Sequence, residues 1–280
     1  MTTGCCVMTG ANGYVGSRLK EYLEKRDIAV RQLVRNVTPG RNAHPFELGD
    51  VPPPSFLADA DTLIHCAYDR VPVRWADIRR INVEGAIRLF RAASNAGVQR
   101  IILISSISAF KGCASRYGAA KLLLEEEAAK LGGISIRPGL VYGERPGGMV
   151  GSLTRAIKSA RLIPLVAGAA KVHLCHEADL CTLVHHLTDL KPTATQDPII
   201  AASPQVWRFR DLLRKLARDQ GRSPLLVPVP WPLVWIGLKC SETLGLRIGF
   251  ASDSLTSLTH PNPNLQFKPT AESGVTFRDL

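Results

Sequence analysis

The sequence predicts an α/β fold in which helices cover both faces of a doubly wound parallel sheet. Two observations lead to this prediction: short apolar segments alternate with helical segments, and the apolar segments lack the polar alternation of a half-exposed strand. A strand that is apolar on both faces must be covered on both faces, which is the arrangement of a parallel sheet between helical layers.

The elements follow in regular order through the first half of the chain. The predicted strands are residues 4–9, 29–34, 62–67, 100–105 and 133–137, with helices at 86–95 and 121–130 among the segments between them. After about residue 143 the pattern breaks into glycine, proline and short helices. The later elements are a strand near 198–202, a helix near 210–218 and a proline-rich apolar segment at 225–238.

A glycine-rich turn follows the first predicted strand. Gly10, Gly13 and Gly16 stand between this strand and a helical pattern. A chain passes directly from strand to helix only where no Cβ blocks it, and the unpaired N–H groups of the helix then face an anion such as a dinucleotide pyrophosphate. The alternative is a purely structural turn. The residues of the turn that we expect to contact a cofactor are Gly10, Asn12, Gly13, Tyr14, Val15 and Gly16.

The pattern of elements divides the chain into two predicted parts. Residues 1–165 are predicted to form a Rossmann-like dinucleotide-binding domain, to which the strand near 198–202 returns. Residues 166–280 are predicted to form mainly a small substrate-binding or lid part. The segment 225–238 is too short and proline-rich to span a bilayer, so we assign it to the lid, with contact at a membrane surface as the alternative.

Composition limits the classes of function. The chain has 280 residues, 45% of them hydrophobic, with no apolar stretch of membrane-spanning length and no charged leader, which predicts a cytoplasmic protein. Its seven cysteines are scattered without Cys-x-x-Cys spacing, and its histidines do not cluster, so neither disulfides nor a metal site is expected. The net charge of +11 is dispersed rather than gathered into a basic block, so we expect a solvated basic surface and not a nucleic-acid site. An anionic small substrate would also benefit from this charge.

A second motif joins a tyrosine to a lysine. Tyr117 and Lys121 are four residues apart and therefore lie on one face of a helix. An ammonium near a phenol stabilises the phenolate, so we expect the pKa of Tyr117 to be lowered and the phenol to exchange protons with a substrate oxygen. Ser106, at the end of the preceding strand, would hold the same oxygen. The alternative is a chance pair, with the serines capping the next element.

These motifs resemble the extended short-chain dehydrogenase/reductases, and within them the nucleotide-sugar 4-epimerases and 4-keto-sugar-nucleotide reductases. The resemblance covers nearly all of the chain, and its motifs occur in the family's order. The residues that carry it are 9–16, Ile64-His65-Cys66-Ala67, Asn82-Val83-Glu84-Gly85, Ser105-Ser106, Tyr117 with Lys121, Arg137-Pro138-Gly139-Leu140-Val141-Tyr142-Gly143 and His176-Glu177-Ala178-Asp179-Leu180.

The resemblance implies a role for each catalytic residue. Tyr117 would be the general acid/base, Lys121 would bind the nicotinamide ribose and tune Tyr117, and Ser106 would bind the reacting oxygen. The loop between Ser106 and Tyr117 departs from many epimerases, since it lacks a Val-Tyr-Gly segment. This departure leaves Ser105 and Ser108 as alternatives to Ser106.

The resemblance also implies where the cofactor lies. The nicotinamide would lie over Pro138, and Cys66, Ala67 and Tyr68 would line the cofactor pocket. Asp50, followed by Val51, stands where relatives contact the adenine ring, with solvation of a loop as the alternative for Asp50. Asn82 would join the central helix to a neighbouring strand, and Asp179 would cap a helix or pair with a backbone group.

The end of the second strand decides the cofactor preference. An acidic residue there would bind the ribose 2′-OH, but Val34 occupies the place and Arg35 follows it. A guanidinium matches a phosphate in charge and geometry, so NADP(H) is preferred, with NAD(H) as the alternative if Arg35 is merely solvated.

Together these inferences predict an NAD(P)-dependent reductase of a 4-keto sugar nucleotide. The alternatives are a nucleotide-sugar 4-epimerase with tightly bound NAD and a non-catalytic NAD(P)-binding sensor or assembly factor. Many relatives have an asparagine near residues 148–150 that touches the substrate, and this chain has none there. The identity of the sugar therefore cannot be inferred from the known epimerases. The resemblance further suggests a homodimer through the helices at 86–95 and 121–130.

Overall fold

A seven-stranded sheet forms the centre of the molecule, and all of its strand pairs are parallel. The computed structural model describes residues 4–37, 42–145, 147–189, 197–244 and 251–280. The sheet strands are Cys5–Thr9 (β1), Ala29–Val34 (β2), Ala43–Pro45 (β3), Thr62–His65 (β4), Arg100–Ile104 (β5), Ile134–Pro138 (β6) and Ile199–Ala201 (β11). Their order across the sheet is β11, β6, β5, β4, β1, β2, β3, which confirms the predicted Rossmann-like α/β class.

The observed strands differ from the predicted ones mainly at their ends. The strand expected at 62–67 ends at His65 and the one expected at 100–105 ends at Ile104, because the chain leaves the sheet there to form loops at its carboxyl edge. The strand expected at 133–137 is Ile134–Pro138. The short edge strand β3 was not predicted, since Ala43-His44-Pro45 is not an apolar segment.

Helices flank the sheet and build the C-terminal part. They are Tyr14–Glu24 (α1), Pro54–Leu57 (α2), Trp75–Ile78 (α3), Gly85–Asn95 (α4), Arg116–Lys130 (α5), Gly148–Ser159 (α6), Glu177–Asp189 (α7), Phe209–Asp219 (α8), Trp231–Thr243 (α9), Ser252–Thr259 (α10) and Lys268–Glu272 (α11), with a π-helical turn at Arg79–Glu84. The helix expected at 121–130 begins earlier, because Ser115 accepts a 3.0 Å hydrogen bond from the Gly118 N–H and caps it.

Two apolar cores hold the helices against the two faces of the sheet. On one face α1 and α7 bury residues such as Leu23 and Leu183. On the other face α4 and α5 bury Phe90 and Leu124. Each fully buried side chain of this size contributes about 1.5–3 kcal/mol, so these cores fix the carboxyl edge of the sheet as a rigid platform.

Three strand pairs and a third core lie outside the central sheet. Leu140–Tyr142 (β7) pairs with Leu174–His176 (β10), Lys171–Val172 (β9) with Trp207–Arg208 (β12), and Leu162–Leu165 (β8) with Leu225–Pro228 (β13). The expectation of short helices after residue 143 is met by α10 and α11, with 8 and 5 residues, but not by α6 and α7, with 12 and 13. α6 packs with α8, whereas α7 returns to the central sheet, and the division of the chain at residue 165 stays a prediction.

The proline-rich segment at 225–238 forms β13 and the first part of α9. Leu238 of α9 packs against Leu255 of α10, which joins the two helices in a small fourth core. Within the described residues, no helix has the length and apolar character needed to cross a membrane.

Candidate functional site

The glycine-rich turn packs against the backbone at the end of β4. Gly10 has a φ of +69°, and a Cβ there would lie 2.8 Å from the Ala67 nitrogen and 3.0 Å from the Cys66 carbonyl carbon. Its carbonyl accepts a 2.9 Å hydrogen bond from the Gly13 N–H. The turn therefore needs glycine at position 10, and it brings the predicted pocket residues Cys66 and Ala67 beside it.

The start of α1 presents the donors that a pyrophosphate requires. α1 begins at Tyr14, and Gly13 precedes it without any side-chain cap. The N–H groups of Tyr14, Val15 and Gly16 belong to the first helical turn and have no partner within the helix. Asn12 and Gly13 are exposed, so the turn is open to a ligand. These residues fit a dinucleotide, because the positive end of α1 meets an accessible, side-chain-poor surface.

A buried histidine supports this turn. The Thr9 Oγ1 lies 2.9 Å from His65 Nδ1 and accepts a 3.2 Å hydrogen bond from the Ala67 N–H. Burial lowers the pKa of His65 to about 3, with the charge of Lys121 acting in the same direction. His65 is therefore neutral at physiological pH and serves to hold the loop after β4. Groups of three side chains suited to binding a metal are absent from the described part of the chain.

Tyr117 and Lys121 meet Tyr68 at the carboxyl edge of β4 and β5. The Lys121 ammonium donates a 2.8 Å hydrogen bond to the carbonyl oxygen of Ile104, the last residue of β5. The Tyr68 and Tyr117 rings pack edge to face, with their centroids 4.8 Å apart. The Lys121 nitrogen lies 5.6 Å from the Tyr68 centroid and 6.0 Å from the Tyr117 centroid. The fold thus brings together three residues that the sequence placed in the site.

The protonation of this cluster differs from the expectation. Burial raises the pKa of Tyr117, while the charge of Arg70 lowers it and that of Asp253 raises it. The expected lowering of the Tyr117 pKa by Lys121 is therefore wrong for this structure, because loss of hydration outweighs the neighbouring charges. Burial also lowers the pKa of Lys121 to about 8. The phenol is held in its protonated form.

Two of the candidate serines, Ser105 and Ser106, differ in their hydrogen bonds. Ser105 is buried and its hydroxyl donates to the Glu125 carboxylate, which is also paired with Arg137 at 2.6 Å. The Ser106 hydroxyl oxygen accepts a 3.1 Å hydrogen bond from the Ser108 N–H, and this bond leaves its proton free to be donated. The geometry therefore favours Ser106 over Ser105 as the residue that binds a substrate oxygen.

The remaining predicted cofactor residues lie around this edge of the sheet. The carbonyl of buried Pro138 accepts a 3.2 Å hydrogen bond from the Ile107 N–H, which places Pro138 beside the serine turn. Arg35 is exposed two residues beyond Leu33, which is paired with Thr9, so it is level with the glycine turn. Their contacts with a cofactor stay predictions.

Asp50 and Val51 lie in an exposed loop. The Asp50 carboxylate accepts a 2.9 Å hydrogen bond from the Glu47 N–H and so closes a local turn. Val51 is 56% exposed. This arrangement matches the alternative in which Asp50 organises its loop, and contact with an adenine ring stays a prediction.

Two residues of the family-like motifs have structural partners. Asn82 accepts a 2.6 Å hydrogen bond from the Asp69 N–H and donates one of 3.0 Å to the Asp69 carbonyl. It therefore fixes the loop after β4, and the expectation that it joins a strand is wrong. Asp179 accepts a 2.9 Å bond from the Arg278 N–H and pairs with its guanidinium at 2.6 Å, so it does bind a backbone group.

Sequence reasoning missed two charged residues near Tyr117. Arg70 follows Tyr68 by two residues, and its charge acts on Tyr68, Tyr117 and Lys121. Asp253 lies on α10 and binds the backbone at Tyr117. The short distance along the chain from Tyr68 could have indicated Arg70, whereas no sequence signal links Asp253 to a residue 136 positions away.

Comparison with known proteins agrees with this architecture. The family model described as "NAD dependent epimerase/dehydratase family" matches residues 6–197, more than half of the chain. UDP-glucose 4-epimerase of Vibrio cholerae is 26% identical to this chain over an alignment of 310 positions. The alignment covers 94% of this chain and 90% of that protein. Ceramide reductase of Caulobacter vibrioides is 27% identical over an alignment of 280 positions, which covers 92% of this chain and 80% of that protein.

Solved structures show the same fold. The structure titled "MoeE5 in complex with UDP-glucose and NAD" has a TM-score of 0.71 at 20% identity, and the match covers 99% of this chain and 94% of MoeE5. The likeness extends over the central sheet and the C-terminal part. Given the family match over residues 6–197, the chain belongs to the NAD dependent epimerase/dehydratase family.

Proposed function

We propose that the protein is an NADPH-dependent reductase that converts a 4-keto sugar nucleotide to the corresponding alcohol. The observation that carries this proposal is the protonated phenol of Tyr117 at the carboxyl edge of the sheet, beside Tyr68 and Lys121. Carbonyl reduction needs a proton donor at the substrate oxygen, whereas alcohol oxidation begins with proton removal. A phenol that keeps its proton at physiological pH has that proton available for the first task.

The chain's own residues divide the work of binding. The uncapped N–H groups of Tyr14 and Val15 would hold the pyrophosphate, and Lys121 would hold the nicotinamide ribose. Arg35 would bind a 2′-phosphate at the end of β2, which is the reason for preferring NADPH to NADH. When bound, the reduced nicotinamide supplies the hydride that adds to the carbonyl carbon.

The proton reaches the substrate oxygen from Tyr117. Ser106 donates its free hydroxyl proton to the same oxygen and orients it, while Tyr117 transfers its phenolic proton as the alkoxide charge develops. Lys121 stabilises the resulting phenolate across the ring cluster. Solvent then reprotonates Tyr117 for the next turnover.

Charge at the site supports an anionic nucleotide diphosphate substrate. Arg70 lies near the catalytic tyrosine, and the chain as a whole carries a net charge of +11. Positive potential raises the local concentration of anionic ligands and their association rates. Because MoeE5 was solved with UDP-glucose, a uridine nucleotide is the natural first probe.

The test is stoichiometric turnover. Purified protein is given NADPH and a UDP-4-keto-hexose, and both absorbance at 340 nm and the sugar product are followed. We expect one NADPH oxidised for each alcohol formed. Product formation without net NADPH oxidation would contradict reduction and would support a 4-epimerase.

The 4-epimerase is the second candidate, favoured by the match to the Vibrio cholerae enzyme over 94% of this chain. It would use the same tyrosine but retain bound NAD. An epimerase would be identified by NAD that stays bound through purification and by interconversion of UDP-sugars. A non-catalytic sensor or assembly factor is the third candidate, and it is disfavoured because pure binding has no need for the Tyr117 and Lys121 cluster.

A lipid carbonyl is an alternative substrate for the same reductase chemistry. On α9 the side chains of Trp231, Leu233 and Ile236 are exposed by 39%, 63% and 53%. Exposed apolar patches often bind apolar partners, and one relative is a ceramide reductase. Turnover of a long-chain ketone, with none of the keto sugar nucleotide, would select this substrate class.

We also propose a cytoplasmic homodimer in which α4 and α5 form a four-helix interface. The two helices pack side by side over the sheet, and an ion pair of 3.7 Å joins Arg91 to Glu127. Light scattering at micromolar concentration would measure the mass. A monomer would contradict the dimer without affecting the proposed reaction.

A further inference from the structure

Two helix N-termini meet at the carboxylate of Asp253. Arg116 and Tyr117 are the first two residues of α5, and their backbone N–H groups donate 2.8 Å hydrogen bonds to Oδ1 and Oδ2 of Asp253. Asp253 is itself the second residue of α10, in the C-terminal part of the chain. One side chain thus holds the first turn of the helix that carries the catalytic tyrosine.

This arrangement is favourable for a carboxylate. The first N–H groups of a helix have no partner within it, and the positive end of the helix dipole attracts an anion. Asp253 receives these contributions from α5 and lies in the first turn of α10 as well. Charge-assisted hydrogen bonds to both oxygens define the carboxylate's orientation, and hence the position of the α5 terminus.

A second carboxylate holds α10 in turn. Glu242 of α9 accepts a 2.7 Å hydrogen bond from the Ser252 N–H and one of 2.9 Å from the Ser252 hydroxyl. Glu242 also accepts a 3.1 Å bond from Lys239. Ser252 is fully buried. A continuous series of caps therefore runs from α9 through Glu242, Ser252 and Asp253 to Tyr117.

We propose that Asp253 is a positioning residue through which the C-terminal part sets the place of the Tyr117 phenol. The carboxylate fixes the first turn of α5, and the α9 to α10 contacts fix the carboxylate. The C-terminal part thus acts on the position of the proposed proton donor. The kinetic consequence rests on the proposed function, whereas the structural link does not.

The charge of Asp253 adds a dependence on pH. The charged and titratable groups facing the Tyr117 phenol are Tyr68, Lys121, Arg70 and Asp253. Among these, the negative charge of Asp253 raises the Tyr117 pKa and the positive charge of Arg70 lowers it. A reductase loses activity as its donor deprotonates, so removal of the Asp253 charge should move that loss to lower pH.

The structural link is tested by amide hydrogen exchange, read residue by residue, in the ligand-free protein. Asp253→Ala should speed exchange of the Arg116 and Tyr117 amides by about tenfold, which corresponds to about 1.4 kcal/mol and lies within the range for the loss of a helix cap. The matched control is Asp211→Ala, which removes an aspartate from the first turn of α8. Exchange at residues 116 and 117 within twofold of wild type in Asp253→Ala would overturn the proposal.

Kinetics test the consequence for Tyr117. Asp253→Ala should lower kcat by about tenfold or more while the Kd for NADPH changes by less than about threefold, because the defect lies at the proton donor. Asp253→Asn keeps one acceptor oxygen without the charge, so it should recover part of kcat and lose activity at lower pH than wild type. An unchanged kcat, or equal losses in the Asp211→Ala control, would contradict the proposal.

Failure of the proposed function remains distinguishable from failure of this inference. If wild-type protein reduces neither a keto sugar nucleotide nor a long-chain ketone, hydrogen exchange still decides whether Asp253 holds the first turn of α5. If Asp253→Ala does not fold, Asp253→Asn carries the exchange measurement. In that variant we expect faster exchange at one of the two amides, and wild-type rates at both would contradict the proposal.

Discussion

The ammonium of Lys121 lies 2.8 Å from the carbonyl oxygen of Ile104, at the point where β5 leaves the sheet. Lys121 is 1% exposed, so the fold holds a cation almost out of contact with water. That position costs stability while the ammonium is charged, because burial penalises the charged form. An apolar side chain would be tolerated better there, so the buried ammonium beside the tyrosine cluster supports the role proposed for Lys121.

Replacing Lys121 with Met should change how stability depends on pH. Burial lowers the pKa of Lys121 to about 8 from its ordinary 10.5. Between these values the unfolded state binds more protons, so this lysine makes the free energy of unfolding rise with pH, by roughly 3 kcal/mol across the interval. Lys121→Met should remove that rise and also reduce turnover and cofactor affinity. Denaturant titrations from pH 7.5 to 9.5 measure the lower part of this rise, with exposed Lys130→Met as the control.

Tyr117→Phe should abolish turnover while cofactor binding is retained. The substitution removes only the phenolic proton donor, and the ring that packs on Tyr68 remains. Loss of a general acid costs about 10²–10⁴-fold in rate. Steady-state rates and NADPH titration by fluorescence measure the two effects. Tyr22→Phe removes a hydroxyl that binds Thr182 on the outer surface and should behave as wild type. Activity of Tyr117→Phe within a few-fold of wild type would refute the assignment.

Substitution should separate the roles of the two neighbouring serines. Ser106→Ala should lower kcat with little change in stability, because its free hydroxyl proton is the one proposed to bind the substrate oxygen. Ser105→Ala should lower the free energy of unfolding by about 1–3 kcal/mol, because it removes a buried hydrogen bond to the Glu125 carboxylate. Urea unfolding and initial rates distinguish the variants. The reverse outcome, with Ser105 catalytic, would exclude Ser106 as the oxygen-binding residue.

The sequence predicts the central strands of the sheet more reliably than its edge strands. Strands such as Arg100–Ile104 are apolar on both faces, and this pattern is readable without any knowledge of tertiary structure. The edge strand Ala43–Pro45 has no such pattern, because its formation depends on the exposed partner edge of β2. Strand ends at the site are also hard to predict, since Cys66 leaves the sheet to pack against Gly10.

In the candidate site, too, local relationships could be predicted from the sequence and tertiary ones could not. Spacing alone placed Tyr117 and Lys121 on one helix face, because that relation is local. The sign of the Tyr117 pKa shift could not be predicted from spacing, since it depends on how much of the phenol the fold buries. Asp253 was missed because its contact with α5 arises from the docking of α10, which no local pattern encodes.

Gly13→Val should weaken dinucleotide binding in a folded protein. A Cβ at Gly13 would lie 3.2 Å from the Gly10 carbonyl oxygen, which is tight but tolerable, and the Gly13 φ of −76° is accessible to valine. The branched side chain would then occupy the exposed space through which the pyrophosphate approaches. We expect the Kd for the cofactor to rise by at least about tenfold. Gly237→Val, at an open position on α9, is the control. Unchanged affinity in the folded Gly13→Val variant would mean that the turn is only structural.

Arg35→Ala should change cofactor preference. Arg35 is exposed at the end of β2, level with the glycine turn, where its guanidinium can meet the 2′-phosphate that only NADPH carries. A charge-assisted contact is worth about 1.5–3 kcal/mol, so NADPH affinity should fall roughly ten- to a hundred-fold while NADH affinity stays nearly constant. The loss should shrink as salt is added, because ions screen an exposed pair. Titration of both cofactors at two ionic strengths measures this, with exposed Arg79→Ala as the control. Equal losses for NADPH and NADH, or none for either, would remove Arg35 from the site and return the preference to NAD.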